Sequence, residues 1–333
     1  MIHEGRVYID NTIMKSLAGC GLYGGLRHVA HIRGPHDSAP LRAGSALHET
    51  LATYFRMLCR GHDHQQAIDS SILFLEADYG EFSQAHVSPD DRLALANVRD
   101  VLLEWYARCG TELPFDVHSE EGIEIGFAHQ LDDTGKYVFF GKIDLLATSH
   151  ADGRWIIVDH KSTGRIDDKW RESWNLDPQS TGYYWAGLTH NPEVVGFQVN
   201  GIQLSKLPNS TKKCPDHGLP YNECRFAHAK FEFLGPYSRS VAQLERWRRE
   251  ALQLAKFYEW LVVEVGSHDL GRLVEHAPMT GPWSGSCRDC TFKQWCGAGC
   301  QPAMIPGMGF VVEKWYPWDP REMPVSPLVE LVS

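Results

Sequence analysis

The hydrophobic pattern of the first third of the chain follows helical spacing. Apolar side chains from Leu47 to Leu58 recur on one stripe, which predicts a helix over 45–60, and a second helix is predicted over 65–78. A third is predicted to start at 88–91, where Ser88 suits an N-cap, and to end at Cys109 before a glycine. The front of the chain is therefore predicted to be helical.

The pattern then changes to alternation of apolar and polar residues. Ile, Val and Phe are enriched in three segments, and the segments DDTGK and HADGR between them suit tight turns. The three predicted antiparallel strands are 119–130, 136–148 and 154–161. The further predicted elements are a helix at 178–190, a strand at 194–204, a strand near 230, a helix at 238–265 and an extended tail beyond 301.

Composition narrows the class of protein. The 333 residues are 43% hydrophobic and 22% charged, as in folded domains, and no apolar run approaches the roughly 18 residues of a membrane helix. The net charge of −10 disfavours a protein that only coats nucleic acid, but it allows an enzyme that holds a metal ion with acidic side chains. The start, MIHEGRVYID, lacks a leader pattern, so we expect a cytoplasmic protein without a disulfide framework.

Two predicted strands end in residues that suit metal chemistry. The second strand contains Asp144 in its GKIDLL segment, and Asp159 and Lys161, two apart on the third strand, share one face. If the strands pair, both carboxylates can hold one Mg²⁺ or Mn²⁺, with the backbone carbonyl of His160 and the His48 side chain as further ligands. Lys161 would then activate water and counter charge on a phosphodiester. Taken alone, such an Asp-x-Lys pair is more often a solvated ion pair.

Five sequence motifs, taken together, favour a metal site over a solvated ion pair. They follow one another along the chain as SLAGC (16–20), GSALH (44–48), GKID (141–144), VDHKST (158–163) and QSTGYY (179–184). Together they resemble the RecB-like branch of the PD-(D/E)xK nuclease superfamily. The resemblance implies that His48, Asp144, Asp159 and Lys161 form the metal and catalytic set. Gln179 and Tyr183 match the family's Q-x3-Y motif and would face DNA, whereas Asp159 stands where many members have Glu.

The resemblance also implies the fold. We expect an α/β, restriction-endonuclease-like core, a mixed sheet flanked by helices, with a helical N-terminal section and a cysteine-clamped C-terminus. The expected parts are a helical section at 1–115, a nuclease core at 116–204, a Cys/His insertion at 205–229, and a C-terminal helix with cysteine cluster and tail at 230–333.

The activity implied is metal-dependent cleavage of DNA, exonucleolytic and directed to single strands or duplex ends, in recombination, repair or phage DNA processing. A phage-encoded protein would act in the host cytoplasm. The sequence has no G-x4-GK[ST] loop, so unwinding would need a helicase or recombination partner. One alternative is a CRISPR-associated nuclease that trims DNA before integration. Another is a catalytically silent DNA-end-binding module, which the intact Asp144, Asp159 and Lys161 disfavour.

Cysteines near the C-terminus predict a second metal centre. Cys287, Cys290 and Cys296 supply three thiolates in a short segment, and a fourth ligand is needed for a tetrahedral or cubane site. By resemblance to iron–sulfur members of the branch (AddB-type and CRISPR-associated nucleases), Cys20 is that ligand and the group is a [4Fe–4S] cluster. Zinc is the alternative metal, because four thiolates also suit it, and Cys300 is the alternative fourth ligand.

A further set of Cys and His residues lies between the strand at 194–204 and the strand near 230. The spacing Cys214-x2-His217-x6-Cys224-x3-His228 would suit a small zinc knuckle. Cys and His residues also gather in polar loops without metal, so the spacing alone leaves both interpretations open.

Overall fold

The computed structural model describes residues 1–34, 38–205, 208–224, 229–266, 269–288 and 290–313. Helices α1 to α11 are Asn11–Gly19, Gly21–His28, Ala39–Cys59, His64–His86, Leu95–Arg108, Asp168–Ser173, Pro178–His190, Val241–Trp260, Leu270–His276, Gly281–Ser284 and Lys293–Gly297. Strands β1 to β10 are Ile2–His3, Arg6–Ile9, Ile32–Arg33, Phe115–Asp116, Ile123–Gln130, Tyr137–Ser149, Trp155–Thr163, Gly196–Gln203, Phe231–Tyr237 and Val311–Val312. Within the described ranges, none of the helices has the length and apolar character that crossing a bilayer requires.

The chain folds as two compact units. The first contains the described residues within Met1–His36, Gly126–Lys142 and Ser240–Ser333. The second contains those within Asp37–Ile125 and Ile143–Arg239. Strands β5 and β6 contribute residues to both units, because the chain passes from one unit to the other inside each strand.

The second unit is built on a mixed sheet with the strand order β4, β6, β7, β8, β9. Strands β6 and β7 form an antiparallel pair, as do β8 and β9, whereas β7 and β8 run parallel with Asp159 opposite Val199. Every residue of β8 is buried, as expected of a central strand that is covered on both faces. The predicted mixed sheet flanked by helices is therefore confirmed.

Helices α3, α4 and α5 form the helical part of the second unit's core. Helix α3 packs against β7 and α4, and α4 packs against α5. The apolar stripe predicted from the sequence is buried, since Leu47, Leu51 and Tyr54 are each 0% exposed and Leu58 packs at its edge. The same cluster includes the inward residues Leu145 of β6 and Val158 of β7, so the helix is fixed against the strands by apolar burial.

The first unit combines short strands with the C-terminal helices. Strand β2 pairs antiparallel with β1 and parallel with the first residues of β6, where Val7 lies opposite Tyr137. Helix α8, capped by Ser240 in a capping box with Gln243, packs against α1 and β2. Helix α8 corresponds to the long helix predicted over 238–265, and a π-helical turn, Leu261–Val265, follows it.

Two predictions of local structure were wrong. Helix α5 begins at Leu95 and not at 88–91, because Asp91 accepts a hydrogen bond from the backbone of Leu93 at 2.9 Å and holds a turn there. The segment beyond 301 is not wholly extended: 3-10 turns at Pro302–Met304 and Pro306–Met308 precede β10, which pairs with β3. The rest of the predicted tail, 314–333, lies outside the described residues.

Candidate active site

Asp144 of strand β6 is the centre of a buried polar cluster in the second unit. Its Oδ2 lies 3.1 Å from Nδ1 of His48 on helix α3, and it accepts a hydrogen bond of 2.7 Å from the backbone N–H of His160. Asp144 is only 6% exposed, so both donors matter for keeping a charge at this depth. The structure thus brings two of the sequence-predicted site residues, from distant parts of the chain, into direct contact.

Asp159 and Lys161 lie on the neighbouring strand β7. The Lys161 ammonium donates to Oδ1 of Asp159 at 2.8 Å and lies 2.8 Å from its Oδ2. The antiparallel register, with Leu145 opposite Val158, brings Asp144 beside Asp159 at the end of this strand pair. Asp159 is 2% exposed, whereas the Lys161 side chain is 20% exposed, so the ammonium is the part of this pair that a substrate can reach.

Glu124 of strand β5 is a member of the site that the sequence analysis missed. One carboxylate oxygen of Glu124, one ring nitrogen of His48 and one oxygen of Asp144 lie within 4.8 Å of one another. Glu124 is 2% exposed and has φ of +55°, a left-handed conformation that is uncommon for a residue other than glycine. Such strain, of order 1–3 kcal/mol, is found mainly at functional sites. The available signal was an acidic residue between two apolar ones, Ile123 and Ile125.

The pKa values within the cluster are shifted in opposite directions. Burial tends to raise the pKa of Asp144, but the charge of His48 and the hydrogen bond to it outweigh burial and lower that pKa well below its usual range. Burial tends to lower the pKa of His48, and Asp144 raises it above its ordinary value. For Asp159 burial dominates, and its pKa is raised to about 6 although Lys161 opposes the shift. The pKa of Lys161 is raised by both carboxylates, against the effect of burial.

A hydrogen-bond chain occupies Nδ1 of the His160 ring. Trp105 can only donate, and its Nε1 donates to Oδ1 of Asn200 at 3.2 Å, so the amide nitrogen of Asn200 faces Nδ1 of His160 at 2.9 Å. Nδ1 therefore accepts. Burial lowers the pKa of His160 to about 3, so the ring is neutral, and it stacks on Phe55 at 5.9 Å. The part of His160 predicted as a ligand is its backbone carbonyl.

Helix α7 carries the residues predicted to face DNA. Nε2 of Gln179 donates to the Tyr183 hydroxyl at 3.2 Å, as the spacing of four residues allows. Burial raises the pKa of Tyr183, and this tyrosine interacts electrostatically with Lys161, Asp159 and Asp144. The tyrosine therefore faces the carboxylates from the first half of the helix, which Asp177 caps.

The donor set fits a hard divalent cation. Carboxylate oxygens from Glu124 and Asp144 and an imidazole nitrogen from His48 converge, and Asp159 lies next to them on the adjacent strand. Mg²⁺ prefers oxygen ligands, and Mn²⁺ also accepts imidazole. A bound dication would also lower the pKa of Asp159, because the positive ion favours the ionised carboxylate.

Removal of the Glu124 charge is expected to weaken metal binding. The Glu124→Gln variant keeps the size of the side chain and removes its charge. Loss of an outer-sphere partner already weakens metal binding roughly tenfold, so the Mn²⁺ affinity of this variant should fall at least as much. Titration of Mn²⁺ by calorimetry measures the change, with Glu121→Gln, an exposed neighbour, as the matched control. Equal affinities for the wild type and Glu124→Gln would show that Glu124 is not a ligand.

The cysteines predicted to hold a second metal centre lie in the first unit, where Cys20 and Cys287 are close together. Cys20, between α1 and α2, and Cys287 both flank Gly281, where a Cβ would lie 3.5 Å from Sγ of Cys20 and 2.8 Å from Sγ of Cys287. The pKa of the Cys290 thiol is raised mainly by burial and further by the nearby Cys287 and Cys20. The pKa of Cys296 is raised to about 12, mainly by burial and further by the nearby Cys300, Cys290 and Cys20.

Hydrogen bonds join the two chain segments that carry these cysteines. The Thr280 and Ser284 hydroxyls donate to the carbonyl oxygen of Gly19 at 3.1 and 2.8 Å, and the backbone N–H of Leu22 donates to Pro278 at 3.0 Å. Cys20 is thus brought to the C-terminal cysteines, as the resemblance implied. Cys300, the alternative fourth ligand, lies near Cys296, with its Sγ 3.9 Å from that residue's carbonyl oxygen.

The insertion between β8 and β9 also brings its predicted ligands together. One ligand atom each of Cys214, His217 and Cys224 lies within 4.8 Å of the other two. The hydrogen bond with His217 lowers the pKa of the Cys214 thiol. The fourth predicted ligand, His228, lies outside the described residues.

Comparison with known proteins shows which family model and which solved structures the chain matches. The model of the PD-(D/E)XK nuclease superfamily matches residues 12–297. No curated protein matches the chain. Among solved structures, a Eubacterium rectale protein described as "Putative exonuclease" is 12% identical with a TM-score of 0.46, over 78% of this chain and 82% of that one. SSO0001 is 13% identical with a TM-score of 0.28, over 68% and 80% of the two chains.

Proposed function

Since the chain belongs to the PD-(D/E)XK nuclease superfamily, we propose that it hydrolyses DNA phosphodiester bonds at the cluster around Asp144. The convergence of His48, Glu124 and Asp144 within 4.8 Å carries this proposal, because three such donors suit one Mg²⁺ or Mn²⁺. Asp159 and the His160 carbonyl are the further proposed ligands. A divalent ion held there would lower the pKa of a water molecule and neutralise charge on the scissile phosphate.

The roles of the other side chains follow from charge and position. Both carboxylates raise the pKa of Lys161 against the effect of burial, and its partly exposed ammonium is proposed to orient the attacking water and to counter charge on the phosphate. His48 is proposed to give one ring nitrogen to the ion as a ligand. Gln179 and Tyr183, beside the carboxylates on α7, are proposed to contact the DNA strand next to the cleaved bond.

The substrate class rests on the resemblance of the motifs. A RecB-like branch member would act as an exonuclease on single strands or exposed duplex ends, in recombination, repair or phage DNA processing, with a helicase or recombination protein as partner. The intact set of Asp144, Asp159 and Lys161, with Lys161 in ion-pair contact with Asp159, disfavours a catalytically silent DNA-binding module.

We also propose that the first unit binds a [4Fe–4S] cluster through Cys20, Cys287, Cys290 and Cys296. The position of Cys20 supports this assignment, because its thiol lies beside Cys287 at Gly281 and interacts electrostatically with Cys290 and Cys296. A bound metal would stabilise the thiolates of Cys290 and Cys296, whose thiol pKa values burial raises. The cluster would join the two segments of the unit and has a structural role.

The test of the nuclease proposal is cleavage of end-labelled DNA by the full-length wild-type chain purified without oxygen. With Mg²⁺ or Mn²⁺ we expect shortening of single strands from one end, and no cleavage after chelation of the ion. Labels on the 5′ and 3′ ends give the polarity, and a circular single strand separates exonuclease from endonuclease action. Absence of cleavage of linear and circular DNA with both metals would contradict the proposal.

A further inference from the structure

We propose that the insertion between β8 and β9 binds one structural Zn²⁺ through Cys214, His217 and Cys224. This site is independent of the nuclease site and of the cysteine cluster in the first unit. Two thiolates and one imidazole form a ligand set that favours zinc over Mg²⁺ or Mn²⁺, since thiolates are poor ligands for hard cations.

The geometry of the three side chains fits a single ion. Their ligand atoms lie within 4.8 Å of one another, and Sγ of Cys214 lies 3.5 Å from Nδ1 of His217. Zinc ligands in a tetrahedral site stand about 3.3–3.8 Å apart at bond lengths of about 2.0–2.3 Å, so small adjustments are enough to close the site around an ion.

The burial pattern of the insertion points to the same conclusion. Among the described residues 208–224, Cys214 and Cys224 are the two that are buried, at 2% and 0% exposure. Residues 208–224 therefore bury no apolar side chain other than these two cysteines and are organised around their thiols, as in small folds whose stability comes from a metal.

The backbone of the insertion presents both cysteines inward. The N–H of Cys214 donates to the carbonyl of Leu219 at 2.7 Å, and the N–H of Cys224 donates to that of Pro220 at 2.7 Å. Gly218 lies at the turn between them with φ of +68°, where a side chain would be strained. These hydrogen bonds hold the backbone on which the two thiols are carried.

Helix α5 supplies a partner for the histidine. Nε2 of His217 lies at an ion-pair distance of 3.8 Å from Oε1 of Glu104, an oxygen that also pairs with Arg108, while Nδ1 faces Cys214. A carboxylate on the far nitrogen orients a metal-bound histidine and increases its basicity. Zinc at this site would therefore fasten the insertion to α5, whose next residue, Trp105, supports Asn200 and through it the His160 ring.

Metal analysis of the full-length protein, with and without ligand substitutions, tests the proposal. We expect one zinc per chain in the wild type, its loss in Cys224→Ala and its retention in Cys59→Ala, a cysteine of the same unit outside the site. The Glu104→Gln variant should bind zinc about 10–100-fold more weakly than the wild type, as measured by competition with a chelator. Zinc retained by Cys224→Ala at the wild-type level would overturn the proposal.

X-ray absorption at the zinc edge on the wild type provides evidence that does not depend on folding of a variant. Two sulfur neighbours at about 2.3 Å and a nitrogen neighbour at about 2.0–2.1 Å are expected. Four sulfur neighbours would place the zinc at the other cysteine cluster, and a wild type without zinc, or zinc without sulfur neighbours, would equally contradict the site.

Discussion

Lys161→Ala should lower the rate of metal-dependent DNA cleavage by about 10²–10³-fold, the usual effect of removing one group that stabilises transition-state charge. The ammonium is the cationic group beside Asp159, and its partial exposure lets it reach a phosphate. The initial rate of degradation of end-labelled single-stranded DNA with Mg²⁺ or Mn²⁺ measures the effect.

The control for this prediction is Lys169→Ala, which removes an exposed lysine on helix α6 of the same unit. Removal of Lys161 leaves the buried Asp159 without its cation, so circular dichroism must show that the variant is folded. DNA affinity in Ca²⁺ should be close to that of the wild type, since the loss is in the chemical step. A folded Lys161→Ala variant that cleaves as fast as the wild type would contradict the assignment.

Cys20→Ala should abolish iron binding and destabilise the protein, whereas Cys300→Ala should retain the cluster. A cluster that joins Cys20 to Cys287 closes a loop of more than 200 residues, and a cross-link over such a loop contributes about 5 kcal/mol in the loop-closure model. The thermal midpoint of Cys20→Ala should therefore fall by roughly 7 °C. Iron analysis, visible absorbance and thermal denaturation of anaerobic samples measure these effects.

The pair of variants separates the two candidate fourth ligands. Loss of iron in Cys300→Ala with retention in Cys20→Ala would assign the site to the local C-terminal cysteines. A colourless wild type with stoichiometric zinc and four sulfur neighbours would replace the iron cluster by zinc.

The nuclease motifs could be predicted because their residues lie at the ends of strongly patterned strands. Strand alternation sets the shared face of Asp159 and Lys161, and hairpin pairing brings Asp144 beside them. Helix α7, Pro178–His190, matches the helix predicted at 178–190, and Asp177 caps it with Pro178 in its first turn. Local rules were sufficient for these elements.

Other features depend on contacts that local rules do not contain. Glu124 lies in a segment with strand alternation, where an acidic residue is usually exposed, and its burial depends on His48 and Asp144 from distant parts of the chain. The start of α5 was placed too early because the carboxylate of Asp91 caps a turn instead of a helix. The approach of Cys20 to Cys287 spans most of the chain, and only the family resemblance predicted it.

The most direct test of the central claim is a comparison of the wild type with Asp144→Asn in Mn²⁺ binding and in DNA cleavage. The substitution keeps the shape of the side chain and removes the charge that His48 and the His160 N–H surround. We predict that the wild type binds Mn²⁺ and degrades end-labelled DNA, that Asp168→Asn on the exposed face of α6 does the same, and that Asp144→Asn does neither. Cleavage by Asp144→Asn at the wild-type rate would contradict the account.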